Sequence, residues 1–221
     1  MVPELLSLEI IMRLLFVVFL ILPPLPVLAS TKKTDATTEP EQISAGAVIR
    51  ELNLARENPQ LYAVFAEELR LRPCRTTEGV KAIDEAVRFL RNVRPLPALV
   101  LSAGMCRAAA DHCAEQAAGK LGHFGNDQSS PGDRINRYGS WIGTYGENIS
   151  YGQKSARSIV LTLIVDHGVR SRGHRKNIFN PNFSYAGAAV GHHAKYQTVC
   201  TIDFAGGYAE RAQAALVARN P

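Results

Sequence analysis

The sequence predicts an α+β protein whose antiparallel sheet is covered by helices. Three observations carry that expectation. Apolar residues recur at helical spacing from Ser44 to Asp166, and they alternate from Tyr185 to Ala205. The two alternating runs are joined by a hairpin-length connector, His192-His193-Ala194-Lys195. Helices first and paired strands later place the helices over the sheet. The composition of the 221 residues, 46% hydrophobic and 20% charged with 17 Gly and 12 Pro, excludes disordered, collagen-like and disulfide-dense chains.

Each element has a local reason. Ser44 precedes a helix with Val48, Leu52 and Ala55 on one stripe, and Asn58-Pro59 ends it and starts another. Residues 59–70 carry Leu61, Phe65 and Leu69 at four-residue spacing, which predicts their buried face. After Thr77, a third helix lines up Val80, Ile83, Val87 and Leu90. Pro95 and Pro97 make 94–100 extended. Ser102 caps a helix over 103–118 that Gly119 closes. Residues 120–130 form a breaker-rich loop, Ser130 caps a short helix over 131–138, and Ser155 caps one over 156–166. Strands follow over 185–191 and 196–205, the second with Thr198, Cys200, Ile202 and Phe204 on one face and Val199, Thr201 and Asp203 on the other.

Residues 1–29 read as a signal peptide: Arg13, the apolar run Leu14–Leu22, two prolines, then small residues. A run this short does not span a membrane, so no transmembrane segment is expected after cleavage. Glu4 and Glu9 suit a signal peptide badly, which leaves Met12 as a candidate start beside Met1. Residues 30–42 read as a flexible tether, 43–210 as the folded domain and 211–221 as a tail. Cleavage removes two of 20 acidic and one of 25 basic residues, leaving a net charge of +6. That charge is spread out, without the aromatic-interleaved basic stripe of a nucleic-acid binder. A secreted or periplasmic, soluble monomer is expected.

Export makes the four cysteines candidates for disulfides. Cys106 and Cys113, seven apart on a helix, stand about 10 Å apart, too far to pair with each other. Cys74 and Cys200 are then their partners, or the thiols are free and packed in a core.

The chemistry lies in the histidines. His123 sits in LGHFGND and His174 in SRGHRKNI, with Glu147 in YGENIS. Imidazoles and carboxylates on irregular backbone can bind a divalent metal, zinc in particular, or act as general acids and bases. Spacing alone does not bring them together, because they stand on distant segments.

The segments ELNLARENPQLY, GHFGNDQSSPGDRINRYG, YGENISYG, GHRKNIFNPNF and YQTVCTIDFAGGY, spanning about 46–208, resemble the CAP superfamily or SCP domain, in its bacterial branch. The resemblance implies an α-β-α sandwich with a central cleft holding two histidines and two acids. His123 matches the first histidine, Glu147 the acid of the GEN motif and His174 the second histidine. Asp166 falls where the family usually has a glutamate or serine, with Leu163 at its tryptophan position. The stretch HGVRSR after Asp166 exceeds the usual spacing and puts the placing of His174 in question.

Other residues have simpler readings. His112 reads as a buried helix histidine, His192 and His193 as a solvated turn, and His167 as a cation at a helix end. Ser129 and Ser130 resemble serines proposed as nucleophiles in relatives, but Ser130 before Pro131 reads as an N-cap and no GxSxG elbow is present. Asp133 and Arg134 are expected in a surface or half-buried ion pair. Tyr138, Trp141 and Tyr145 line the cleft or pack the core. The function expected is binding: a divalent cation, zinc first, held by His123, Glu147, His174 and Asp166, beside a lipid-like or envelope ligand. The alternative is a metal-assisted hydrolase of peptide or envelope substrates, with Glu147 as general base.

Overall fold

The computed structural model describes residues 43–71 and 79–211, all within the unit Glu41–Pro221. The expected signal peptide and tether, Cys74 and most of the expected tail lie outside the described residues. Helix α1 (Ala45–Glu57) starts on the Ser44 cap, α2 (Pro59–Glu68) begins at Pro59, and α3 (Val80–Asn92) follows. A two-residue strand β1 (Val100–Leu101) leads to α4 (Ala103–Gln116), capped by Ser102. Next come α5 (Pro131–Tyr138), β2 (Gly139–Tyr151), α6 (Ala156–Val165) and α7 (Gly173–Ile178). Strands β3 (Tyr185–His193) and β4 (Gln197–Glu210) close the fold.

The sheet order is β1-β3-β4-β2. Strands β2, β4 and β3 are antiparallel, as expected, while β1 adds a short parallel pairing of Val100 and Leu101 with Tyr185 and Ala186. The sheet is therefore mixed. Strand alternation sends Ala186, Ala188, Cys200, Ile202 and Phe204 to one face, where α1, α2, α3 and α6 bury them with Val48, Leu52, Leu90 and Ile164. On the other face α4 and α5 pack through Met105, Ala108 and Ile135 onto Ala205 and Tyr208. Two helical layers with a sheet between them make the α-β-α sandwich.

Two buried contacts tie the layers together. Arg56, 1% exposed, donates to the carbonyls of Pro97, Ile178, Asn180 and Phe183 at 2.7–3.2 Å. Four acceptors satisfy a cation that has left water. Glu210 accepts from Ser102 Oγ at 2.7 Å and from the Gly104 N–H, placing a carboxylate on the amide end of α4. Helix α4 also lies against β3 with no room to spare: a Cβ on Gly187 would collide with the backbone nitrogen of Cys106.

Several sequence expectations are corrected. The buried face of α2 is Pro59, Tyr62, Ala63 and Ala66, whereas Leu61 is exposed. The helix presents small residues and a tyrosine to the core because α3 packs closely against it. Strand β2 was legible only around Glu147. It begins at Gly139, because pairing with β4 overrides the glycines at 139, 143 and 146. The hairpin turn lies at 194–196, so His192 is exposed as expected but His193 is fully buried. His193 Nε2 donates to the Lys120 carbonyl at 3.1 Å, and its Nδ1 accepts from the N–H groups of Lys195 and Tyr196. Among the described residues Cys106, Cys113 and Cys200 are free thiols, and burial raises the pKa of each.

Candidate functional site

The loop after α4, the middle of β2 and the N-terminal end of α7 meet around a cleft of about 350 Å³. His123, Glu147, His174 and Asn177 line it together with Val169, Ser171 and Gly173. Three distant motifs thus converge on one opening.

The histidines and acids are arranged as two pairs. His123 Nδ1 lies 2.8 Å from Glu147 Oε1. His174 Nδ1 lies 2.6 Å from Asp166 Oδ1. Both carboxylate side chains are 1% exposed, whereas the imidazoles are 47% and 25% exposed. The acids therefore stand behind the rings. A carboxylate can only accept, so each neutral ring carries its proton on Nδ1 and leaves the Nε2 lone pair free.

Both acids have further partners. Glu147 Oε2 accepts from Arg134 at 2.6 Å, and Arg134 is fully buried with a second bond to the Ser129 carbonyl at 2.9 Å. Arg134 thus ties the short helix to its surroundings through an ion pair, as expected, but the pair is fully buried rather than on the surface or half-buried. Asp133 instead forms a capping box with Ser130 on α5. Asp166 ends α6 in the left-handed region at φ 52°, and its Oδ2 accepts from the His174 N–H at 2.9 Å. The longer HGVRSR stretch thus loops out and returns His174 to the helix end. Arg172 and Arg175 hold that loop to α3 through Glu85, whose pKa they draw down to about 2.

Three residues of the site had gone unread. Asn177 Nδ2 donates to Asn148 Oδ1 at 2.9 Å, and Asn148 Nδ2 to the His174 carbonyl at 3.0 Å, which ties α7 to β2. Both lie in the quoted motifs, so their signal was available. The third, Asp203, pairs with Glu147 across β4 and β2 and is fully buried. Neither of its oxygens meets a hydrogen-bond donor among the described residues, and its side-chain interaction is with the Glu147 carboxylate. Burial, and then the Glu147 charge beside it, push its pKa well above the usual carboxylate range, against the pull of Arg134. The site therefore favours the protonated form of Asp203, and its signal was a carboxylate inside the apolar run TVCTIDFA.

The remaining expectations sort as follows. His112 is buried as expected, with Nδ1 3.0 Å from Glu115 and Nε2 2.9 Å from the Gly122 carbonyl. Ser130 is the N-cap of α5. Tyr138 and Trp141 pack against the Met105 cluster, and Trp141 rests on Tyr145 with ring centres 4.8 Å apart.

A model of the family described as "CAP: Cysteine-rich secretory protein family" matches residues 85–204, more than half of the chain. The chain belongs to the CAP family. Among its relatives is the uncharacterised protein YkwD of Bacillus subtilis, 40% identical over 65 residues. That match covers 29% of this chain and 23% of YkwD, so the chain spans about a quarter of that relative's length. Of the solved structures, an extracellular protein of Bacillus anthracis containing an SCP domain aligns with a TM-score of 0.40 at 22% identity, over 57% of this chain and 39% of that one. An outer surface protein of Borrelia burgdorferi aligns with a TM-score of 0.40 at 14% identity, over 71% and 96%. Among the described residues of this CAP domain, no helix is long and apolar enough to cross a membrane.

Proposed function

We propose that this CAP protein is exported and that its cleft binds a divalent cation, zinc first, together with a ligand from the cell envelope. The supporting observation is the pairing of each imidazole Nδ1 with a buried carboxylate. That pairing fixes the tautomer and leaves Nε2 as a donor to metal, the arrangement that orients histidine ligands in metal sites. The fit is specific about roles. His123 and His174 would be the ligands, while Glu147 and Asp166, with their oxygens already engaged, would position them. Among the described residues no three His, Cys, Asp or Glu side chains form a metal-holding group. The cation's other positions would therefore go to the bound ligand and to water.

When bound, the cation would supply Lewis acidity to a polar group of the ligand. The protein's own contribution is to hold two imidazoles, each oriented through Nδ1 by a buried carboxylate, in one cleft. Leu121 and Phe124, 49% and 58% exposed, flank His123 and offer apolar surface to the tail of a lipid-like ligand. In a hydrolase the same oriented imidazoles would serve as bases, because both Glu147 oxygens are committed to Arg134 and His123.

The test is calorimetric titration of chelator-stripped protein, residues 30–221, with Zn²⁺, alongside His123→Ala and His174→Ala. The expected result is one site of micromolar or tighter affinity that either substitution abolishes. Absence of binding, or binding unchanged in both variants, would remove the cation from the function.

A further inference from the structure

The His123 imidazole projects from a loop that its own apolar side chains do not anchor. Leu121 and Phe124, on either side of the histidine, are exposed. The backbone is held instead. The Gly122 carbonyl accepts from His112 Nε2 at 2.9 Å, and the Gly122 N–H donates to the Tyr151 hydroxyl at 3.2 Å. Both main-chain groups of the residue before His123 are therefore taken by side chains from two different elements, α4 and β2.

The two clamps are themselves fixed. His112 is fully buried, with its other ring nitrogen 3.0 Å from Glu115. Tyr151 donates to Gln116 Oε1 at 2.5 Å and packs against the His193 ring at 5.3 Å. Gly122 has φ +99°, a conformation that a residue with a Cβ rarely adopts, so the clasp and the glycine belong together. Tyr151 also lies four residues after Glu147 on β2, and alternate residues of a strand share a face. One face of one strand thus holds the loop twice: at the ring, through Glu147, and at the backbone, through Tyr151.

We propose that His112 and Tyr151 are positioning residues that clasp Gly122 and thereby set where the His123 imidazole stands in the cleft. The proposal rests on His123 Nε2 being a ligand to the cation. Its consequence is that cation affinity depends on two side chains that do not touch the cation. Sites of this kind lose affinity steeply once their supporting groups are removed.

The experiment measures two quantities on Tyr151→Phe, His112→Leu and His112→Gln: Zn²⁺ affinity by calorimetry, and amide hydrogen exchange at Gly122 and His123 by NMR. Tyr151→Phe and His112→Leu are expected to weaken zinc binding about tenfold or more and to speed exchange at Gly122. His112→Gln keeps a donor for the Gly122 carbonyl and is expected to recover part of the affinity. Ser155→Ala, which removes a cap on α6 away from the cleft, controls for general destabilisation and should leave affinity unchanged. Wild-type affinity in both Tyr151→Phe and His112→Leu would overturn the proposal. If the unsubstituted protein binds no zinc, the cation reading fails, and the clasp is decided by exchange alone. Faster exchange at Gly122 with a shifted His123 ring resonance in Tyr151→Phe upholds it, and unchanged exchange and resonance overturn it.

Discussion

The substitution Asp203→Asn should remove a falling pH dependence from the stability of this protein. In the unfolded chain Asp203 loses its proton near the ordinary value of about 3.9. In the folded chain it is fully buried opposite the Glu147 carboxylate and keeps the proton to much higher pH. Above the unfolded value the native state therefore binds one proton more than the unfolded state. Unfolding free energy then falls as pH rises, by about 1.4 kcal/mol per pH unit for one proton, until the folded carboxyl also ionises. The substituted amide carries no such proton, yet it can donate toward Glu147 as a neutral acid can. From the unfolded value up to the raised folded one, the variant should therefore gain steadily on the unsubstituted protein as pH rises. Titrating groups remote from the Asp203–Glu147 pair are common to both proteins and cancel in the difference. Urea unfolding at several pH values, followed through Trp141, the single tryptophan, measures it. Parallel stability curves for the two proteins would refute the neutral-acid reading. So would a variant that loses stability relative to the unsubstituted protein as pH rises.

Three further substitutions test the frame. Arg56→Met leaves four carbonyls without their donor and should cost about 3–5 kcal/mol in urea unfolding; a loss below about 1 kcal/mol would mean that water replaces the guanidinium. Gly187→Ala drives a Cβ into the backbone of α4 and should cost about 3 kcal/mol or more, with an unchanged melting temperature as the contrary result. Ser130→Ala removes only a helix cap, so it should lower stability by about 1 kcal/mol. It should leave zinc affinity and any hydrolytic activity intact, and loss of a hydrolytic activity would revive the nucleophile reading.

The helices were legible because their caps and stripes are local: Ser44, Ser102, Ser130 and Ser155 each accept from the helix they were expected to start. The residues of the cleft were legible from the motifs, and His123, Glu147 and His174 do line one opening. Their division of labour was not. Whether an acid stands beside an imidazole or behind it depends on the depth of β2 and on the left-handed turn at Asp166, and neither is written in spacing. Asp203 becomes part of the site only through its register with Glu147, and Arg134 only because α5 packs its guanidinium inward. The α2 stripe was legible in part: Phe65 and Leu69 pack against the core while Leu61 is exposed, because the residues beside the stripe, Tyr62, Ala63 and Ala66, take the fully buried positions.

The contacts of Arg56 and Glu210 bear on how this domain could be moved into another protein. The recognisable family segment, 85–204, contains all four histidine and acid side chains of the two pairs. A graft cut to those limits would nevertheless leave behind the guanidinium that fills the carbonyl ring around Phe183 and the carboxylate that finishes the amide end of α4. The transferable unit runs from the Ser44 cap through Glu210, so the limits of the family-model match fall inside the folding unit at both ends.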